Sequence, residues 1–216
     1  MSAQQRYDEL CSNRDQYLNT ARVASELTLP YLITWDNDNR NQGYLPTPWQ
    51  SVGAKSVVTL SSKLMLALLP IQTTFFKLQV DMTKLGEDYP PEIKTELDLS
   101  FAKIEKTVMD SIAQSDDRVV VHQAIKHLVV GGNALIFMGK EGLKLYPLNR
   151  YVLERDGNGN VIEIVTLERI SRKIFDKKIT PIKEQPNPVM DDGVEGNDVP
   201  VYTWVRRENN RIIWHQ

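Results

Sequence analysis

The chain has 216 residues, of which 41% are hydrophobic and 25% charged, an ordinary globular composition that excludes a disordered tail as its main description. Its formal net charge of −2 and pI near 6.0 exclude the basic excess of a tight DNA clamp. A passage along which DNA slides stays open, because strong phosphate contacts would hold the DNA still. Cys11 is the single cysteine, so no intramolecular disulfide forms, and it reads as a small buried hydrophobe of a protein assembled in reducing cytoplasm. The most apolar run, Leu64 to Ile71, falls far short of the roughly 20 residues that span a bilayer. The N-terminus has no signal-peptide pattern, so the expectation is a soluble protein with no membrane partner.

Helix is the first expectation, over 2–27. Tyr7, Leu10, Cys11, Leu18, Ala21 and Leu27 recur near steps of three and four, and Pro30 ends the pattern. The stripe is thin for its length, so this helix should lie across another surface, either its own core or a neighbouring subunit. Residues 31–46 contain DNDNRNQGYLP and read as a loop from which Trp35 packs back onto the body. Thr47 then offers a cap, and Pro48 a first helical residue, for a second helix that runs to Pro70. Ser51, Gly53 and Ala54 let another backbone approach its first half. Its second half is apolar nearly all round, which predicts burial.

Alternation of Phe76, Leu78, Val80 and Met82 with polar residues predicts a strand with one buried face, followed by a turn at 88–91. A third helix over 91–114 carries Ile93, Leu97, Phe101, Ile104, Val108 and Ile112 on one stripe. Glu92, Lys94, Glu96, Lys103, Glu105 and Lys106 form its solvated face. Ser115 caps a fourth helix over 116–130, which Gly131 and Gly132 close through a left-handed residue. After Asn133 the period becomes alternating, and ALIFM, LKLYPL, RYVLER and NVIEIVTLERI read as four strands. Gly142 and the DGNG at 156–159 mark tight turns. The Pro-, Gly- and acid-rich stretch 183–197 reads as an exposed loop, before a final hairpin of PVYTWVRR and RIIWH. The sequence stops at Gln216 inside a strand pattern, which predicts a segment of a longer protein.

Five kinds of chemical site lack their residues in this sequence. No GxxxxGK[ST] loop occurs, and GGNA at Gly131 follows a helix instead of opening one. His122 and His127 are five apart on a helix, where paired ligands normally stand four apart. Asp156, Asn158 and Asn160 imitate half of a calcium loop, but the twelfth-position Glu is missing and a hairpin turn reads better. Asp116 and Asp117 are adjacent, so they suit a helix N-terminus and not a catalytic pair. No nucleophile–His–acid set stands out. Trp49, and Tyr202 with Trp204 ahead of Arg206 and Arg207, could stack on nucleic acid, although strand aromatics beside charges are more often core and rim. No catalytic, metal or cofactor-binding residue is assigned, and no cofactor is expected.

Three stretches carry a resemblance. TPWQSVGAKSVVTLSSKLMLALLP, HLVVGGNALIF and LNRYVLERDGNGNVIEIVT follow one another in the order found in podovirus-type head–tail connectors, the portal proteins of short-tailed phages. They cover about a quarter of the chain directly, and their spacing fits most of the remainder. The resemblance implies an α+β fold with a helical wing and a mostly antiparallel β region. It divides the chain into an arm over 1–29, a helical part of the wing over 30–133 and a β-rich part over 134–216, with stem, clip and crown after Gln216. It also implies a structural and non-enzymatic subunit in a ring of about twelve at one capsid vertex. Major capsid protein, scaffolding protein, terminase and tail adaptor would be its partners, with double-stranded DNA passing without sequence-specific binding. The virion's head–tail junction would be its place. Trp49, Gly53, Ala54, Arg150 and Arg155 are the candidate subunit-contact or packing residues. An α+β interaction module of another assembly is the second reading, and an enzyme whose site lies beyond Gln216 the third.

Overall fold

A computed structural model describes residues 2–34, 47–70, 73–79, 91–140, 142–171, 198–208 and 211–216. Among them are four helices, α1 (Ala3–Leu27), α2 (Val52–Leu68), α3 (Pro91–Gln114) and α4 (Asp117–Gly131). Six strands follow: β1 (Leu135–Gly139), β2 (Gly142–Tyr146), β3 (Tyr151–Arg155), β4 (Val161–Ser171), β5 (Asp198–Glu208) and β6 (Arg211–His215). β1 pairs with β2, and β3-β4-β5-β6 form an antiparallel sheet in sequence order. The fold is therefore α+β. The chain divides into two units, residues 1–20 with 146–216, and residues 21–145. Trp35, Val80, Met82, the turn at 88–90 and the loop at 183–197 lie outside the described residues.

In the first unit, α1 begins with a reciprocal cap. The Gln5 N–H donates to Ser2 Oγ at 3.2 Å and the Ser2 N–H to Gln5 Oε1 at 3.0 Å, a capping box written in the sequence as S-x-x-Q. Tyr7 and Leu10 then pack on Val152, Val165 and Trp204 of the sheet, with Val165 fully buried. Of the two surfaces open to α1, its start takes its own chain's core. Leu27, placed on the same stripe by its spacing, is instead exposed. At the far end of the sheet's first hairpin, Asp156 Oδ1 accepts the N–H groups of Asn158 and Asn160, and Gly159 takes φ +85°. The DGNG turn thus consumes its own carboxylate.

The second unit is held by short polar ties. Ser25, fully buried, donates its hydroxyl to the Leu29 carbonyl at 2.8 Å and accepts the Ile33 N–H at 3.2 Å, so the buried hydroxyl is satisfied as donor and as acceptor. Ser115 Oγ accepts the Asp117 N–H at the start of α4, and Asp117 Oδ1 accepts the N–H of Leu143 on β2 at 2.8 Å. Arg118 Nη2 donates to the Leu69 carbonyl at 2.7 Å and so closes the end of α2. Gly132 ends α4 at φ 70°, its N–H returning to the Leu128 carbonyl, the left-handed closure that paired glycines permit.

Three expectations need correcting here. α2 opens at Val52 after Ser51, so Thr47 and Pro48 precede the helix and cap nothing in it. Burial on α2 is confined to Val57, Ser61 and Met65, one narrow face that packs on α4, while Leu66 and Leu68 each stay 57% exposed. Apolar periodicity predicts a covered surface but not which molecule covers it. Finally, residues 76–79 keep the alternating burial of a strand without a ladder. The Leu78 N–H donates to Glu105 Oε1 on α3 at 2.6 Å, so a side chain takes the place of a strand partner.

The close approach expected at Gly53 is real and lies within the second unit. A Cβ there would sit 2.9 Å from the Leu27 carbonyl oxygen and 3.2 Å from Thr28 Cγ2. Gly53→Leu should therefore lower the thermal midpoint. Overpacking costs about 1–3 kcal/mol, and the better helix propensity of Leu returns only about 0.8 kcal/mol. An unchanged midpoint in thermal unfolding would show that this junction does not set the spacing.

Candidate functional site

Cross-strand partners share a face of the sheet, which lets the register build the site. Val152, Val165 and Trp204 stand in one row across β3, β4 and β5, against α1. The neighbouring row on that face holds Glu154, Glu163 and Arg206. Two carboxylates directly opposed on adjacent strands repel, and Glu163 is only 7% exposed. Something cationic must enter. Arg6, one residue before Tyr7 on α1, does so. Its Nε donates to Glu163 Oε1 at 2.6 Å, its Nη2 donates to both Glu154 and Glu163, and its Nη1 donates to Glu9 at 2.8 Å. Trp204 Nε1 donates to the other oxygen, Glu163 Oε2, at 2.7 Å.

Burial alone would push the Glu163 carboxyl up. The donors Arg6 and Trp204 more than offset that, and hold it below the usual carboxylate range. Arg6 is raised in turn by its bonds to Glu163 and Glu9. A second arginine fixes the edge of the same unit. Arg14 Nη1 donates to the Leu148 carbonyl at 2.6 Å and to that of Tyr151, and the Tyr7 hydroxyl donates to the Asn149 carbonyl at 3.1 Å. The 3-10 turn Leu148–Arg150 is thereby stitched to α1. A buried carboxylate bonded on one oxygen by an arginine fork and on the other by an indole N–H is held ionised and fixed in place. Its chemistry is that of a clamp.

Of the residues singled out from sequence, Trp49 is fully exposed ahead of α2, and Gly53 and Ala54 are half-buried in the first turn of that helix. Arg150 ends the 3-10 turn, half-buried, and Arg155 Nη1 donates to the Gly159 carbonyl at 2.8 Å, bracing the DGNG hairpin. Tyr202 and Trp204 offer no stacking platform. Trp204 is buried, with the Arg206 guanidinium 4.8 Å from its ring centroid, and Tyr202 meets Tyr7 edge-on at 5.4 Å. His127 is a core histidine, its basicity lowered by burial. Arg6, Arg14 and Glu163 were not anticipated. A lone Glu inside the apolar run VIEIVTL was the signal available for the last.

The described surface is also unusually apolar. Val52, Leu60, Leu64, Leu66 and Leu68 on α2 and Ile93, Leu99, Ile104 and Val108 on α3 are exposed. On the sheet face opposite α1, Leu153, Ile164, Val205 and Trp214 form an apolar row across all four strands, with Trp214 64% exposed. Exposed apolar side chains of this kind are surface that a covering segment would bury.

The chain is 37% identical over 173 residues to the portal protein of Enterobacteria phage T3, across 76% of this chain and 32% of that protein. The portal protein of Escherichia phage T7 is 37% identical over 174 residues, 76% of this chain and 32% of that protein. For the portal protein of Enterobacteria phage SP6 the identity is 33% over 174 residues, 79% of this chain and 33% of that protein. The chain thus spans about a third of the length of these relatives. The family model described as bacteriophage head to tail connecting protein matches residues 1–213, which takes in the Arg6 clamp, β1 to β5 and the start of β6, and the chain belongs to that family.

Proposed function

We propose that this chain is the N-terminal portion of a portal subunit. Copies of it build a closed ring at one capsid vertex, the channel through which DNA is packaged and later ejected. The family match over residues 1–213 carries this reading. The open apolar faces of α2, α3 and the sheet support it, because a ring subunit must leave surface for its neighbours. In this reading residues 1–29 are an arm, residues 30–133 the helical part of a wing and residues 134–216 its β-rich part. The Arg6 clamp keeps the start of the arm on the β-rich part while force passes through the ring.

The subunit is structural. Turnover belongs to a separate packaging ATPase, and capsid, scaffolding and tail-adaptor proteins are its other partners. Assembly takes place in the host cytoplasm and the product resides in the virion. Negative-stain class averages of the full-length protein should show rings with a central hole. Capsids assembled without it should take up no DNA. Filled capsids lacking the protein, or particles without a hole, would overturn the reading.

A further inference from the structure

The tight turn between β3 and β4 holds a reactive pair that neither the clamp nor the ring reading uses. Asn158–Gly159 is the one Asn-Gly step in the sequence. Both residues are exposed, and a Cβ placed on Gly159 would meet no atom within 4 Å. Water and base therefore reach this peptide freely. Glycine matters here, because its bare backbone lets its nitrogen approach the preceding side-chain carbonyl without obstruction. The chemistry balances without a cofactor. A base takes the proton from the Gly159 nitrogen, which attacks Asn158 Cγ. The new N–Cγ bond closes a cyclic imide, the Cγ–Nδ2 bond breaks, and Nδ2 leaves as ammonia with a proton from solvent. Water then opens the ring. Addition at Cγ gives aspartate, and addition at the backbone carbonyl gives isoaspartate, whose main chain runs through Cβ and Cγ.

The native turn opposes that attack. The Gly159 N–H donates to the Asp156 carbonyl at 2.9 Å, which makes Asn158 the third residue of a β-turn. In the common turn types this position has ψ of about 0°, which sets the following nitrogen beside the residue's own nitrogen and away from its Cβ. Ring closure needs the opposite, with the Gly159 nitrogen swung over to the Cβ side. That swing breaks the bond to Asp156. The Asp156 side chain holds the turn further. Its Oδ1 accepts the N–H groups of Asn158 at 2.9 Å and Asn160 at 2.7 Å, and its Oδ2 accepts Asn160 Nδ2 at 2.9 Å. The bonds from Asn160 keep this carboxyl below its usual range, so it stays an ionised acceptor at neutral pH. We propose that Asn158 is a self-modifying site, deamidated through the Gly159 nitrogen when the turn opens, and that Asp156 is the positioning residue that keeps the turn closed. The native rate then follows the open population of the turn. Either product adds a negative charge there. Isoaspartate also lengthens the chain between the two N–H groups that Asp156 Oδ1 accepts.

Peptide mass spectrometry of the full-length protein tests this, after incubation in mildly alkaline heavy-oxygen water. Each deamidation then leaves a labelled carboxyl, distinct from any that occurs during later handling. In the urea-unfolded chain Asn158 should convert several-fold faster than Asn160, with isoaspartate among its products. In the native protein Asn158 should convert several-fold more slowly than in urea. Asp156→Ala should raise the native rate several-fold while leaving the thermal midpoint of the protein in place, so the loosening is local. Asp156→Ser, whose hydroxyl can accept the same N–H groups, should recover part of the protection. An Asn158 that converts no faster than Asn160 in urea would overturn the site. Equal native and unfolded rates, or a native rate unmoved by Asp156→Ala, would overturn the control by the turn.

Discussion

Arg6→Ala should destabilise the unit built from residues 1–20 and 146–216 by about 3 kcal/mol, because it strands a buried carboxylate opposite a second one. The pH dependence should also change sign. In the native protein the Glu163 carboxyl lies below its ordinary value of 4.5, so its contribution is present above that pH and is lost as pH falls through the depressed value. Without Arg6, burial dominates and raises the carboxyl, so protonation accompanies folding. The variant should then gain stability as pH falls from 7 toward about 5, where the native protein gains none from this group. Thermal midpoints measured across that range decide the matter. Parallel profiles would show that Arg6 does not neutralise Glu163. Adding Glu163→Gln to Arg6→Ala should recover part of the loss, since the amide needs no counter-ion.

The second large effect belongs to Trp204. Trp204→Ala removes the ring that packs with Tyr7, Leu10, Val152 and Val165 and should cost about 3–5 kcal/mol. Trp204→Phe keeps most of the packing and loses the donor to Glu163, for about 1–2 kcal/mol. Chemical denaturation of the two variants separates packing from hydrogen bonding. If Trp204→Ala instead kept its stability and altered only retention of DNA, Trp204 would be a nucleic-acid contact and the core assignment would fail.

Helices and strands were legible wherever local chemistry decides them. The apolar stripe marks α3 at 91–114, the paired glycines at the end of α4 give the left-handed closure at Gly132, and DGNG gives the hairpin between β3 and β4. Thr47 and Pro48 misled because a cap-like pair is a local preference that any competing contact overrides. The alternation at 76–79 misled because a strand needs a partner ladder, and Glu105 satisfies the Leu78 N–H instead.

The clamp was hidden for a different reason. Arg6 and Glu163 are 157 residues apart, and no local pattern joins them. Only the register of β3, β4 and β5 brings Glu154 beside Glu163 and makes the need for Arg6 visible. The apolar second half of α2 predicts burial, yet among the described residues Leu66 and Leu68 stay exposed, because periodicity marks an apolar surface without saying what covers it.

Native mass spectrometry of the full-length protein addresses the central claim most directly. The account predicts one closed species of about a dozen subunits, as a heterologous interface that closes gives. A monomer or dimer that persists at high concentration, with scaffolding protein supplied, would contradict it.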